Sequence, residues 1–117
     1  MVYCSEHLSL AALEILVHTQ PVTIRDKFRV FRVSWEGKMM ITIDLKKLPK
    51  GWNAQPPSSI SKNVGDNWVR SAQSVVLAIP SVIVPAERTF LLNRDHHDFG
   101  KIKIKDTGSF YLDPRLR

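Results

Sequence analysis

The chain has 117 residues, of which 44% are hydrophobic and 24% are charged, and this composition is typical of one globular domain. A chain of this length buries about 60% to 70% of its unfolded surface, which is enough for a core without disulfide or metal staples. Its one cysteine, Cys4, excludes an intrachain disulfide. Because no apolar run of about 18 residues and no leader is present, we expect a cytoplasmic protein that does not span a membrane.

The charge balance favours an anionic partner. The chain carries 17 lysines and arginines and 11 acidic residues, a formal net charge of +6 with neutral histidines. Such a surplus suits either a polyanion or a substrate that bears phosphate. Single-strand nucleic-acid binders interleave cations with exposed aromatic residues, and the sequence shows no such pattern. We therefore expect no direct binding of nucleic acid.

The first predicted elements are a strand end and a helix. Met1–Tyr3 resembles the last residues of a strand, with no room before it for a turn or a cap. A helix is predicted over about residues 6–18, with Ser5 as its N-cap and Glu6 in the first turn, where the helix dipole favours an acid. Pro21 ends the pattern. The helix is apolar almost all round, so we expect it to be buried.

Glu14 interrupts this apolar pattern, as the one formally charged side chain between Glu6 and Arg25. Its neighbours at helical spacing include Leu10 and Val17, so the helix offers it no polar face. Burying a carboxylate without a partner costs several kcal/mol. Glu14 is therefore either a paired structural carboxylate or a residue that a site requires, and the pattern alone leaves both interpretations open.

The rest of the sequence predicts a single α/β (α+β) domain centred on a sheet. A hairpin at Glu36 and Gly37 is expected to join strands over residues 28–35 and 39–45. A proline-rich loop is expected over residues 48–61, followed by a second helix over residues 60–72. Further short strands are predicted over residues 74–79, 82–84, 89–92 and 101–105.

Familiar catalytic signatures are absent, because the sequence contains no phosphate-binding glycine loop, zinc-protease motif or serine-hydrolase elbow. The compact group of potential ligands is His96, His97 and Asp98. Adjacent side chains of an extended segment point in opposite directions, so we predict a solvated loop and no metal site there. Lysines at alternate positions of 101–105 are expected to protect a sheet edge, although they could also meet phosphates.

Several short motifs occur in a characteristic order along the chain. The first are Val2–Ser5 and Leu10–His18, and the later ones are Leu48–Trp52, Gly65–Trp68, Leu77–Pro85, Leu91–Asn93 and Asp113–Leu116. Together they resemble the RES-domain family, the toxin halves of RES–Xre toxin–antitoxin pairs. The resemblance covers essentially the whole chain and implies one RES domain over residues 1–117, with a fold like that of ADP-ribosyltransferases.

The resemblance also implies the site residues. The family is named for an arginine, a glutamate and a serine, and Glu14 matches the glutamate while Ser81 matches the serine. The family's arginine lies in a Gly-Arg-Trp-like segment upstream of the strand that ends at Tyr3, so the resemblance implies a domain that lacks its amino-terminal part. Tyr3 is expected to bind the substrate through its ring or its hydroxyl.

The implied activity is cleavage of the bond between nicotinamide and ribose in NAD+, by hydrolysis or phosphorolysis. Alternatives are an ADP-ribosyltransferase that modifies a protein and an inactive remnant that binds an antitoxin. In the enzyme, Glu14 would stabilise the cation that develops on the ribose, and Ser81 would bind the substrate or orient Glu14. The resemblance implies NAD+ as substrate, no prosthetic group and an Xre-like helix-turn-helix antitoxin, and it leaves self-association open.

Overall fold

The computed structural model of the protein describes residues 1–18, 27–43, 50 and 59–116. Within these ranges the chain forms two α-helices and two β-sheets, which confirms the predicted α+β class. The helices are α1 (Leu8–His18) and α2 (Ser59–Ser71), and the strands are β1 (Val2–Ser5), β2 (Lys27–Ser34), β3 (Met40–Thr42), β4 (Val76–Pro80), β5 (Arg88–Leu92) and β6 (Lys103–Tyr111).

The larger sheet has the strand order β1-β5-β4-β3. Strand β5 is antiparallel to both of its neighbours, and β3 is parallel to β4. Consequently β1, β3 and β4 all end at the edge of the sheet where β5 begins. We call this edge, which is bounded by Ser5, Thr42, Pro80 and Arg88, the Ser81 edge, because β4 leads directly into Ser81.

The two central strands hold the core, and their continuous apolar runs are typical of strands covered on both faces. One face contributes Val76 and Ala78 to a buried cluster, while the opposite face places Leu77 against Trp68 of α2. The Trp68 indole donates to Ser74 Oγ across 2.9 Å, and Ser74 Oγ donates to the Val76 carbonyl across 2.7 Å. This buried relay fixes α2 against the start of β4.

Strands β2 and β6 form a separate antiparallel ribbon. Its register shifts between Val30 and Phe31, where the partner strand contains one extra residue before Gly108. Gly108 has a φ of +112°, a region that strongly favours glycine. Beside it, Arg29 Nε donates to Asp106 Oδ2 across 2.8 Å.

Two strand predictions are wrong. The predicted hairpin at Glu36 and Gly37 does not form, since β2 pairs with β6 and β3 pairs with β4. Glu-Gly is not one of the pairs that favour a two-residue hairpin turn, and a 3-10 turn at Gly37–Met39 redirects the chain instead. Residues 82–84 do not form a strand either, because the side chain of Ser81 folds them into a loop.

The remaining predicted elements have the right type but shifted bounds. The second helix is confirmed as α2, and the strands predicted over residues 28–35, 74–79 and 89–92 are confirmed as β2, β4 and β5. The strand predicted over residues 101–105 begins at Lys103 and continues to Tyr111, after a 3-10 turn at Phe99–Lys101. Most of the loop predicted over residues 48–61 lies outside the described residues.

Helix α1 differs from its prediction in start and burial. Ser5 is the last residue of β1 rather than an N-cap, because the chain continues its pairing with β5 and the helix begins only at Leu8. Leu10 is buried, but Leu8 and Val17 are exposed, so the prediction of a fully buried helix is wrong. Among the described elements, α1 contacts β1. No described helix is long and apolar enough to cross a membrane.

Candidate functional site

Ser81 lies in the loop of residues 81–87 that joins β4 to β5, which we call the Ser81 loop. Its side chain is fully buried, and its Oγ accepts the N–H groups of Ile83 and Val84 at 3.1 Å each. Its own N–H donates to the Glu87 carbonyl across 2.8 Å. These bonds use both acceptor positions of the hydroxyl, so Ser81 can act on a further group only as a donor.

Glu87 closes the Ser81 loop and was not predicted as a site residue. Its N–H donates to the Val84 carbonyl across 2.8 Å, while its Oε1 is buried without a hydrogen-bond partner in the part of the chain that the structure describes. A buried carboxylate oxygen of this kind is a group that a donor on a ligand would satisfy. The signal in the sequence that could have identified Glu87 is its position, since it is the acidic residue that directly follows the apolar run of residues 82–86.

Glu6 and Arg88 join the beginning of the α1 segment to the Ser81 edge. The backbone N–H of Arg88 donates to Glu6 Oε1 across 2.8 Å, and the guanidinium Nη2 donates to Glu6 Oε2 across 3.1 Å. These bonds from Arg88 hold the pKa of the Glu6 carboxyl below its ordinary value. The sequence analysis placed Glu6 in the first turn of the helix, where it would interact with the helix dipole. Its partner Arg88 lies 82 residues away, and no local sequence pattern indicates so distant a contact.

Glu14 lies on α1, half-buried, and six residues after the helix begins. Six helical residues correspond to about 9 Å along the axis. The helix starts just beyond Ser5, at the same edge of the sheet that carries Ser81. The structure therefore places the start of the helix that carries Glu14 and the loop that contains Ser81 at the same edge of the sheet.

Tyr3 occupies the middle of β1, opposite Leu91 of β5. Its side chain is 68% exposed, so the ring is accessible to a ligand and is not a core residue. The next residue, Cys4, points to the other face of the strand and is half-buried, and this burial raises the pKa of its thiol. Of the two neighbours, Tyr3 is the one that can contact a bound molecule.

A family model for the RES domain matches residues 1–113. The chain belongs to the RES-domain family. It is 32% identical over 117 residues to "Toxin Res" of Yersinia enterocolitica and 34% identical over 116 residues to "Toxin Res" of Photorhabdus laumondii. These alignments cover 99% and 98% of this chain and 77% and 74% of the two relatives.

A third relative is "Prs ADP-ribosylating toxin" of Sphingobium sp., 29% identical over 119 residues, with 99% of this chain and 74% of the relative covered. The resemblance to the RES-domain family that the sequence motifs indicated is thus confirmed. The assignment of Glu14 and Ser81 to the family's glutamate and serine, and the roles of both residues, remain predictions.

One cavity among the described residues of the RES domain has a volume of about 720 Å³. It lies at the opposite end of β4 from Ser81, between the end of β2 and the segment before β6, and Trp35, Gln73 and Lys101 contribute to its lining. Tyr3, Glu14 and Ser81 do not line it. The predicted site residues are therefore not part of this cavity.

His96 corrects one sequence expectation, since it is buried rather than part of a solvated loop. The segment is a turn, so the rings of His96 and His97 stack at 4.3 Å instead of pointing apart. Potential ligand atoms of His96, His97 and Asp98 lie within 4.8 Å of one another. However, His96 Nδ1 accepts the Asp98 N–H, and its Nε2 lies 3.0 Å from the Ala72 carbonyl. Both ring nitrogens thus hold the turn in place, and a metal would have to displace one of these bonds.

Proposed function

We propose that this RES protein is the toxin of a toxin–antitoxin system and that it cleaves the nicotinamide–ribose bond of NAD+. The observation that carries the proposal is the convergence of the α1 segment and the Ser81 loop at one sheet edge, joined by Glu6 and Arg88. The helix brings a half-buried carboxylate, Glu14, and β1 adds the exposed ring of Tyr3. A carboxylate and an accessible aromatic ring suit a substrate that combines a sugar with a flat base.

Glu14 would act on the ribose. When the bond between ribose C1′ and the nicotinamide nitrogen breaks, its electrons leave with the neutral nicotinamide and the ribose ring becomes cationic. The carboxylate of Glu14 stabilises that charge more strongly in the transition state than in the bound substrate, which lowers the barrier. An oxygen nucleophile then bonds to C1′ and loses its proton to solvent.

Tyr3 and Ser81 would hold the substrate and the loop. The exposed Tyr3 ring offers a stacking surface for the nicotinamide or adenine ring. The Oγ of Ser81 accepts two backbone N–H groups, so the hydroxyl can serve a further group only as a donor. That donor can serve a substrate oxygen or the Glu14 carboxylate once the loop adjusts around the substrate.

A second candidate is transfer of ADP-ribose to a protein, and the relative named "Prs ADP-ribosylating toxin" favours it. Both reactions break the same bond and need the same stabilisation of the ribose. They differ in the acceptor, which is water or phosphate in the first case and a protein side chain in the second.

We further propose that an Xre-like helix-turn-helix antitoxin neutralises the protein by covering the Ser81 edge.

The test incubates the purified chain with NAD+ and measures released nicotinamide by chromatography. We expect nicotinamide release that a heat-inactivated sample does not show. Free ADP-ribose, its phosphate ester or protein-bound ADP-ribose would identify the acceptor. Nicotinamide release no faster than in the inactivated sample, with phosphate and cell-extract protein present, would overturn the proposal.

A further inference from the structure

We propose that Glu6 and Arg88 form a positioning pair. The pair holds the start of α1, and thereby Glu14, in a fixed position relative to the Ser81 loop. This inference rests on the proposed function, since it assigns the pair a role in the reaction of Glu14. Neither residue belongs to the set that the family motifs single out. Their contact geometry carries the proposal.

Glu6 is bound to Arg88 through both its backbone and its side chain. The Glu6 N–H donates to the Arg88 carbonyl across 3.1 Å, and the Arg88 N–H returns a bond of 2.8 Å to Glu6 Oε1. The guanidinium adds two bonds to Glu6 Oε2, of 3.1 Å from Nη2 and 3.3 Å from Nε. The exchange continues the β1–β5 ladder one step beyond the Ser5–Thr89 pair, so it fixes where the chain leaves the sheet to enter α1.

Arg88 is at the same time attached to the Ser81 loop. It pairs with Pro80 in the β4–β5 register, and it directly follows Glu87, whose carbonyl accepts the Ser81 N–H at 2.8 Å. Its guanidinium also lies 5.1 Å from the centre of the Phe90 ring, an arrangement favourable for a cation. Because several independent contacts fix Arg88, a shift of Glu6 relative to Arg88 is a shift of α1 relative to the loop.

Charge energetics indicate a geometric role rather than a stabilising one. The side chains of Glu6 and Arg88 are 25% and 42% exposed, and water weakens ion pairs at such exposure, so they contribute little to folding. Charge-assisted bonds to a carboxylate nevertheless fix distance and direction well. Displacement of a reacting group by about 1 Å can lower a rate by about 10²-fold. We therefore expect loss of the pair to affect turnover far more than stability.

The chain offers a matched control in the β2–β6 ribbon. Asp106 Oδ2 accepts Arg29 Nε at 2.8 Å, and its Oδ1 accepts the backbone N–H of Gly108 at 3.0 Å. Asp106 thus repeats the arrangement of Glu6, one oxygen on a guanidinium and one on a backbone N–H. The ribbon pairs with neither β1 nor β4. The substitution Asp106→Asn therefore removes an equivalent carboxylate at a place outside the sheet that carries the Ser81 loop.

The experiment measures kcat and KM for NAD+ and the melting temperature of Glu6→Gln, Arg88→Gln and Asp106→Asn. We expect the first two variants to lower kcat by about tenfold or more with KM changed less than about twofold, since the pair positions the catalytic carboxylate rather than binding substrate. Asp106→Asn is expected to keep wild-type kcat. Equal kcat for Glu6→Gln and Asp106→Asn, at similar melting temperatures, would overturn the proposal.

Amide hydrogen exchange separates this proposal from the proposed function, because it needs no activity. Loss of the pair in Glu6→Ala is expected to speed exchange in the first turn of α1 and in the Ser81 loop together. Asp106→Asn is expected to speed exchange in the ribbon alone. If wild-type protein releases no nicotinamide, the proposed function fails, while unchanged exchange of the Ser81 loop in Glu6→Ala would refute the positioning role itself.

Discussion

Ser81 and Glu87 close the loop between β4 and β5, since the Ser81 N–H donates to the Glu87 carbonyl across 2.8 Å. The same serine folds the loop from within, through the bonds that its Oγ accepts from Ile83 and Val84. Ser81 therefore stabilises the local backbone, and its proposed contact with substrate is a separate role. Substituting it must affect the fold as well as the chemistry.

We expect Ser81→Ala to lower the free energy of unfolding by about 1–3 kcal/mol, because two loop N–H groups lose their acceptor. Urea denaturation followed by circular dichroism measures the loss. Ser109→Ala, an exposed change on β6, is the control and should stay within about 0.5 kcal/mol of wild type. Equal stability of the two variants would contradict the role of Ser81 in the loop.

The buried relay from Trp68 through Ser74 to the Val76 carbonyl gives a second prediction. Ser74→Ala should destabilise the protein by about 1–3 kcal/mol, since the indole N–H and the carbonyl both lose a buried partner. In a double-mutant cycle with Trp68→Phe, the two changes should be non-additive, because each removes the same bond. Additive effects within about 0.3 kcal/mol would show that the relay is not coupled.

Gly108 tests the bulge of the ribbon. Its φ of +112° is a conformation that other residues rarely adopt, and a Cβ there would meet nothing within 4 Å. Gly108→Ala should therefore destabilise through backbone strain alone, by about 1–3 kcal/mol. Gly100, where a Cβ also meets nothing within 4 Å and φ is ordinary, supplies the control. Similar melting temperatures for Gly108→Ala and Gly100→Ala would contradict this account.

Acid should weaken the Glu6–Arg88 pair. The hydrogen bond from the Arg88 side chain lowers the pKa of the Glu6 carboxyl in the folded protein. The pair therefore stabilises the fold at pH values above the pKa of a glutamate in the unfolded chain, about 4.3. This stabilisation is lost as the pH falls through the lower pKa of Glu6 in the folded protein. Thermal unfolding is measured between about pH 6 and pH 3, the range in which carboxyl groups titrate. The melting temperature of the wild type should fall more steeply with decreasing pH than that of Glu6→Gln. Parallel curves would rule out a linked carboxyl at this position.

Local patterns predicted the elements of this fold better than their pairing. The apolar runs of β4 and β5 and the helical spacing around Trp68 are properties of neighbouring residues, so the sequence displays them directly. The partner of β2 is β6, more than 60 residues away. The alternation of apolar and polar residues within a strand does not indicate which distant strand it pairs with. The hairpin prediction failed for this reason, because it assigned the nearest strand as the partner.

The candidate site shows the same division. Glu14 stood out as a charge in an apolar helix, whereas its match to the family came from ordered motifs over the whole chain. Glu6 and Arg88 were missed because their bonds join segments that meet only in the folded sheet. His96 was misassigned because an extended backbone was assumed where the chain turns.

The central claim is that the Glu14 carboxylate stabilises a cation on the ribose of NAD+. Glu14→Gln keeps the shape of the side chain and removes its charge, and nicotinamide release and thermal unfolding are measured on the same preparation. We predict that kcat falls by about 10² to 10³-fold with little change in KM, the loss expected for one preorganised electrostatic group. A Glu14→Gln protein that melts at a lower temperature but releases nicotinamide at the wild-type rate would contradict the claim.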